Sequence, residues 1–191
     1  MKVSRRTRVV TGGALAAAVA LGGFGAWSAS ASSPAPAVQT AAVAAKGAAK
    51  SDAKSAGLVR STHLSIGAAT EAAQAALKAA QKENQRVSVA VVDRDGNTLV
   101  TLRGDGAGPQ SYESAEKKAY TAVSWNAPTS ELVKRLDNAP TLKDIPGTLF
   151  LPGGVPVTAK DAPVAGVGVA GAPSGDLDEK FARAGAAALA G

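Results

Sequence analysis

The chain has 191 residues, with 21 lysines and arginines against 15 acidic residues, a formal charge of +6, no cysteine and a single histidine, His63. The missing cysteines exclude a disulfide framework and thiol redox chemistry, and one histidine leaves any imidazole-based catalysis to that residue alone. At roughly 100–200 residues per domain, the length suggests one domain with additional segments.

Those segments come first. Lys2, Arg5, Arg6 and Arg8 precede a run from Val9 to Trp27 that is almost wholly Ala, Gly, Val and Leu, followed by Ala29-Ser30-Ala31. This pattern predicts a signal peptide over residues 1–31, cut after Ala31, and therefore an exported, secreted protein. Ser4-Arg5-Arg6 also reads as a twin-arginine signal. An uncleaved membrane anchor is the alternative, the run being barely long enough to span a bilayer. Without residues 1–31, and so without four basic side chains, 17 basic groups face 15 acidic ones, a net +2 that gives no reason to invoke nucleic acid. Residues 32–57 contain no aromatic residue and no large aliphatic one beyond two valines. They cannot bury enough surface to offset their ordering entropy, and are expected to be a flexible linker. Residues 58–191 remain for a single domain, long enough for one stable core.

In that domain Ser65 is a candidate N-cap for a helix to about Asn84, with Leu64 as a hydrophobic staple and Ile66, Ala69, Ala73, Leu77 and Ala80 on one face. Residues 86–92 and 98–102 are β-rich and joined through Asp95-Gly96, a strong hairpin signal. A second helix is expected from about Gln110 to Trp125, and a short one from Ser130 to Leu136. Thr148–Leu151 and Val155–Thr158 are expected to pair as strands around Pro152-Gly153-Gly154. Residues 164–170 read as a last strand and residues 176–189 as a last helix. Helices and antiparallel hairpins on one core make an α+β domain.

Several motifs need weighing. Gly166-Val167-Gly168-Val169-Ala170-Gly171 matches G-x-G-x-x-G, but the dinucleotide unit needs a further parallel strand and an acidic residue about 20 positions on, where this chain ends. Glycines that let backbone pack closely explain it better. Asp93-Arg94-Asp95-Gly96 lacks the distal glutamate of a calcium loop, and a hairpin turn accounts for it. His63 sits just before the first helix with no carboxylate or second histidine nearby, which suits a surface or linker position rather than a ligand. Glu113 and Glu116 share a helix face. Two readings stay open for them: a solvated face with Glu113 paired to Lys117, or two hard carboxylates gripping a divalent ion such as ferrous iron.

The order of VAVVDRDG, LRGDGAG, SAEKKAYTA, IPGTLFLPGGVPV and VAGVGVAGAPSGDLDE before an Ala-rich C-terminal helix resembles the GlcG/HbpS-like haem-binding domain family over Leu64 to Leu189. Ala170 is a departure, since a serine is common there. The resemblance implies a five-stranded antiparallel sheet flanked by helices, assembled into a homo-oligomer. Its secreted branch, which the predicted signal peptide and linker resemble, binds haem and iron outside the cell and works with a sensor histidine kinase. By that resemblance Glu113 and Glu116 form an iron site, and Thr148, in the strand before the Pro-Gly-Gly turn, is the haem iron ligand. Two other functions remain: a haem-degrading enzyme, or a binding module for another small ligand such as a corrinoid or a hydroxy acid. Against the enzyme stands the lack of any histidine beyond His63 to serve as proximal ligand or general base.

Overall fold

The computed structural model describes residues 53–190, so the expected signal peptide and the linker before Ala53 lie outside the described residues. Residues 53–57 are exposed and contain one 3-10 turn, Ser55–Gly57. Among the described residues no helix is long and apolar enough to cross a membrane.

Helix α1 spans Ile66–Lys82, and its cap is the expected one: Ser65 Oγ accepts the Ala68 N–H at 3.2 Å. Leu64, just before it, packs on the core. The buried stripe is Ala69, Ala72, Ala73, Ala76 and Ala80, whereas Ile66 is 61% exposed. The expected face was therefore right in its alanines and wrong in Ile66, which the first turn carries out into solvent. Strands β1 (Ser88–Asp93) and β2 (Thr98–Arg103) form the expected hairpin, with Gly96 at φ 88° in the turn. Helices α2 (Pro109–Trp125) and α3 (Thr129–Leu132) follow, then strands β3 (Gly154–Ala159) and β4 (Ala162–Ala170) and helix α4 (Gly175–Ala187).

The sheet has four strands in the order β2-β1-β4-β3, all antiparallel. The α+β class holds, but the expected fifth strand does not form. Thr148–Leu151 is irregular, and β3 pairs instead with β4 across Lys160-Asp161. Two contacts explain this. The Leu149 N–H donates to Thr121 Oγ1 at 2.8 Å, and Phe150 turns inward beside Trp125 (ring centroids 5.2 Å apart, edge to face) and Leu132. Tertiary packing thus overrides the β propensity of Thr-Leu-Phe-Leu.

Helices cover both faces of the sheet, so β1 is buried at all six residues. On one face Val89, Val91, Val167 and Val169 meet α1 and α4, including Phe181. On the other, Ala90, Val92 and Ala170 meet Ala115, Ala119 and Val123 of α2. The first two glycines of the G-x-G-x-x-G motif lie on the α2 side of β4. A Cβ at Gly166 would collide with the Ala119 carbonyl, and one at Gly168 with the Ala115 carbonyl. They let the helix backbone rest on the strand, which is the close-packing role the sequence suggested.

Candidate functional site

The outward side of α2 carries both candidate carboxylates. Glu113 is exposed and its Oε1 lies 2.6 Å from Lys117 Nζ, the i,i+4 pair anticipated from the sequence. The hydrogen bond and charge of Lys117 hold its carboxyl below the usual carboxylate value. One turn along, Glu116 Oε1 accepts a hydrogen bond from Thr101 Oγ1 of β2 at 2.9 Å. The two glutamates therefore share a face, and each already has one partner on it.

Beside Glu116 runs an open groove of about 270 Å³ lined by Val92, Gly96, Thr98, Glu116, Lys117, Tyr120 and Gly147. Three elements build it: α2, the β1–β2 hairpin and the loop before Thr148. The Tyr120 ring is wedged between two glycines. A Cβ at Gly96 would lie 2.9 Å from Tyr120 Cε2, and one at Gly147 would touch Cε1 at 3.6 Å. Both glycines have positive φ, 88° and 81°, so each turn brings bare backbone against the ring.

Thr148 follows Gly147, which lines the groove, and is half-buried without lining the groove itself. It does not sit in a strand, and its Oγ1 donates to the Ile145 carbonyl at 2.8 Å. The structure thus brings Glu116 and the Thr148 loop to one groove, with Glu113 one turn away on the same helix. Sequence reasoning gave no role to Lys117 as a groove cation or to Tyr120 as its aromatic wall. The signal for Tyr120 was present only as two isolated turn glycines, Gly96 and Gly147, whose meeting at one ring is a tertiary fact. The turn reading of Asp93 holds, since its Oδ1 accepts the N–H groups of Asp95 and Asn97 at 2.9 and 2.8 Å. His63 is exposed as expected, but carboxylates do lie beside it, Asp95 Oδ2 at 3.6 Å from Nδ1, because the fold returns the hairpin tip to the start of α1.

Chemically the groove offers an apolar wall (Val92 and the Tyr120 ring), a cation (Lys117), a hydroxyl (Thr98) and a carboxylate (Glu116). That mix suits a flat, mostly apolar molecule with acidic substituents. Lys117 is already paired with Glu113, so an acidic group on a ligand would compete with that carboxylate for it. Its volume lies below the roughly 300–1,000 Å³ of sites that enclose a whole small molecule, so it would take one edge of a large ligand.

Fold and groove together define a single α+β domain with a shallow surface groove beside an outward carboxylate pair. The family described as "Haem degrading protein HbpS-like" matches residues 64–187, and the chain belongs to it. A crystal structure of Streptomyces reticuli HbpS is 74% identical, with a TM-score of 0.75 over 75% of this chain and 99% of that one. That structure is a double mutant in which two glutamates three positions apart are replaced by aspartate. A PduOC:haem complex is 28% identical, with a TM-score of 0.61 over 66% of this chain and 95% of that one. An uncharacterised 15.0 kDa protein from the dhaT-dhaS intergenic region of Citrobacter freundii is 32% identical over 113 residues, 56% of this chain and 80% of its own.

Proposed function

We propose that this protein is an exported haem-binding and iron-sensing protein that works as a homo-oligomer and is accessory to a sensor histidine kinase. The observation that carries the haem reading is the meeting of the Tyr120 wall, Lys117 and the Thr148 loop at one groove, in a chain 28% identical to one crystallised with haem. In this reading the porphyrin edge lies against Val92 and Tyr120, Lys117 meets a propionate, and Thr148 offers its hydroxyl oxygen to the haem iron. Donating to Ile145 leaves that oxygen's lone pairs available. A neutral hydroxyl is a poor iron ligand beside imidazole or thiolate, so haem is held loosely. Loose binding suits a sensor, since a site that never empties cannot report a changing supply. A second copy of the chain would cover the part of the porphyrin that this shallow groove leaves in water.

Iron capture is assigned to Glu113 and Glu116, the pair whose spacing matches the glutamates replaced in the HbpS double mutant. Two hard oxygens on one helix face suit ferrous iron, and releasing Lys117 and Thr101 is the cost of binding it.

The family's description favours a second reading, a haem-degrading enzyme. Adding haem and a reductant separates the two: binding keeps the Soret band and degradation bleaches it. Thr148→Ala is expected to lower haem affinity and shift the bound Soret maximum with far-ultraviolet circular dichroism unchanged. A spectrum and affinity identical to wild type would place haem elsewhere.

A further inference from the structure

Next to the groove, the tip of the β1–β2 hairpin meets the segment that leads into α1. There His63, Asp93 and Asp95 each offer one ligand atom, and the three atoms lie within 4.8 Å of one another. We propose that these residues form a second metal site, which takes a divalent first-row transition ion through one imidazole nitrogen and two carboxylate oxygens.

His63 and Asp95 make a loose contact rather than a charge-assisted hydrogen bond. His63 Nδ1 lies 3.6 Å from Asp95 Oδ2, beyond the roughly 2.7–2.9 Å of a charge-assisted hydrogen bond. Two donors about 2.0–2.2 Å from a common ion at a tetrahedral angle stand about 3.3–3.5 Å apart, close to the spacing seen. On the far side of the ring, Ser61 Oγ is 2.6 Å from Nε2, the kind of outer contact that sets imidazole orientation at metal centres.

Asp93 supplies the rigid member. It is 8% exposed, and the N–H groups of Asp95 and Asn97 and the Asn97 amide fix its carboxylate without using all of its lone pairs. Asp95 and His63 are more exposed, which gives an ion a way in and leaves room for waters to complete its shell. One nitrogen with two hard oxygens suits zinc, manganese or ferrous iron, whereas calcium asks for six to eight oxygens. A bound ion would fasten the segment before α1 to the hairpin 30 residues further on.

The site shares no residue with the groove or with the Glu113–Glu116 pair, so it stands or falls apart from the haem reading. Because the untagged chain has one histidine, imidazole-nitrogen modulation in a pulsed electron paramagnetic resonance spectrum belongs to His63. One equivalent of Cu²⁺, as a spectroscopic probe of the divalent class, is expected to show that modulation both in wild type and in Glu113→Ala/Glu116→Ala protein. Zn²⁺ affinity, measured by calorimetry in the double variant, is expected to fall at least about tenfold on adding His63→Ala, with circular dichroism unchanged. Absence of the nitrogen modulation, or equal Zn²⁺ affinity with and without His63, would overturn the proposal.

Discussion

Lys118 and Asp178 meet inside the protein with Nζ 2.7 Å from Oδ2, each side chain 5% exposed. Lys118 also donates to the Val169 carbonyl at 3.1 Å, and Asp178 Oδ1 accepts the Ala172 N–H at 2.9 Å, so the pair joins α2, β4 and α4. Burial pushes the Asp178 carboxyl up, and the charge and hydrogen bond of Lys118 oppose this without cancelling it. Lys118→Met leaves a buried carboxylate unpaired and is expected to cost about 3–5 kcal/mol near neutral pH, read from urea unfolding. A folded-state value above the unfolded one means that Asp178 contributes most below the unfolded value and less as pH rises through the folded one. The penalty of Lys118→Met should therefore shrink at about pH 4, where the lone carboxyl takes up a proton. Equal penalties at both pH values would contradict the buried pair.

Asp93 has the opposite sign. Burial works to raise its carboxyl, but the hydrogen bonds from Asn97 and Asp95 outweigh it and hold the group below the usual value. Its stabilising contribution is complete above the unfolded value and fades as pH falls through the lowered folded one. Asp93→Asn should then be destabilising at pH 7, with the difference from wild type narrowing below about pH 4. Urea midpoints for the two proteins across that range provide the check.

Gly168→Ala tests the packing of α2 on β4. The added methyl would press on the Ala115 carbonyl and the Ala119 N–H. A backbone contact cannot rotate away as a side chain can, so the loss should be about 3 kcal/mol, the upper part of the range for overpacking. A melting temperature within a degree of wild type would mean that helix and strand have more room than the structure gives them.

Glu113→Ala with Glu116→Ala should weaken ferrous iron binding while the thermal unfolding curve stays close to wild type. Glu113 is an exposed surface pair member, and Glu116 gives up one partly buried hydrogen bond. Unchanged iron affinity in anaerobic titration would return both residues to the role of a solvated helix face.

Local signals were the legible ones. Ser65 was readable as a cap because capping depends on neighbours three residues away, and Asp95-Gly96 as a turn because glycine adopts positive φ at no steric cost. The β3–β4 turn was not, since Lys160 and Asp161 take φ of 51° and 62° without any glycine to announce it. Thr148–Leu151 reads as a strand for a related reason: its composition favours one, and Thr121, Trp125 and Leu132, distant in sequence, hold it out of the sheet. Glu113 and Glu116 could be placed on one helix face from spacing, whereas the groove beside them required the meeting of Gly96, Tyr120 and Gly147. The approach of His63 to Asp93 and Asp95 was equally invisible, because nothing in either segment refers to the other.

The helix contacts of this domain are made largely of alanine and glycine: five alanines along α1, with Gly185 of α4 against the Ala72 carbonyl, and Gly166 and Gly168 under α2. Layers that touch through such small groups leave no slack for a larger side chain, so inherited change in the interior is confined to a narrow set of residues. Apart from Gly96 and Gly147, whose positive φ and contact with Tyr120 favour glycine, the groove is freer, because the rest of its rim is turn and the outer side of one helix. A lineage built on this scaffold would diversify its ligands by rewriting the hairpin tip and the loop before Thr148 while its interior stayed almost unaltered.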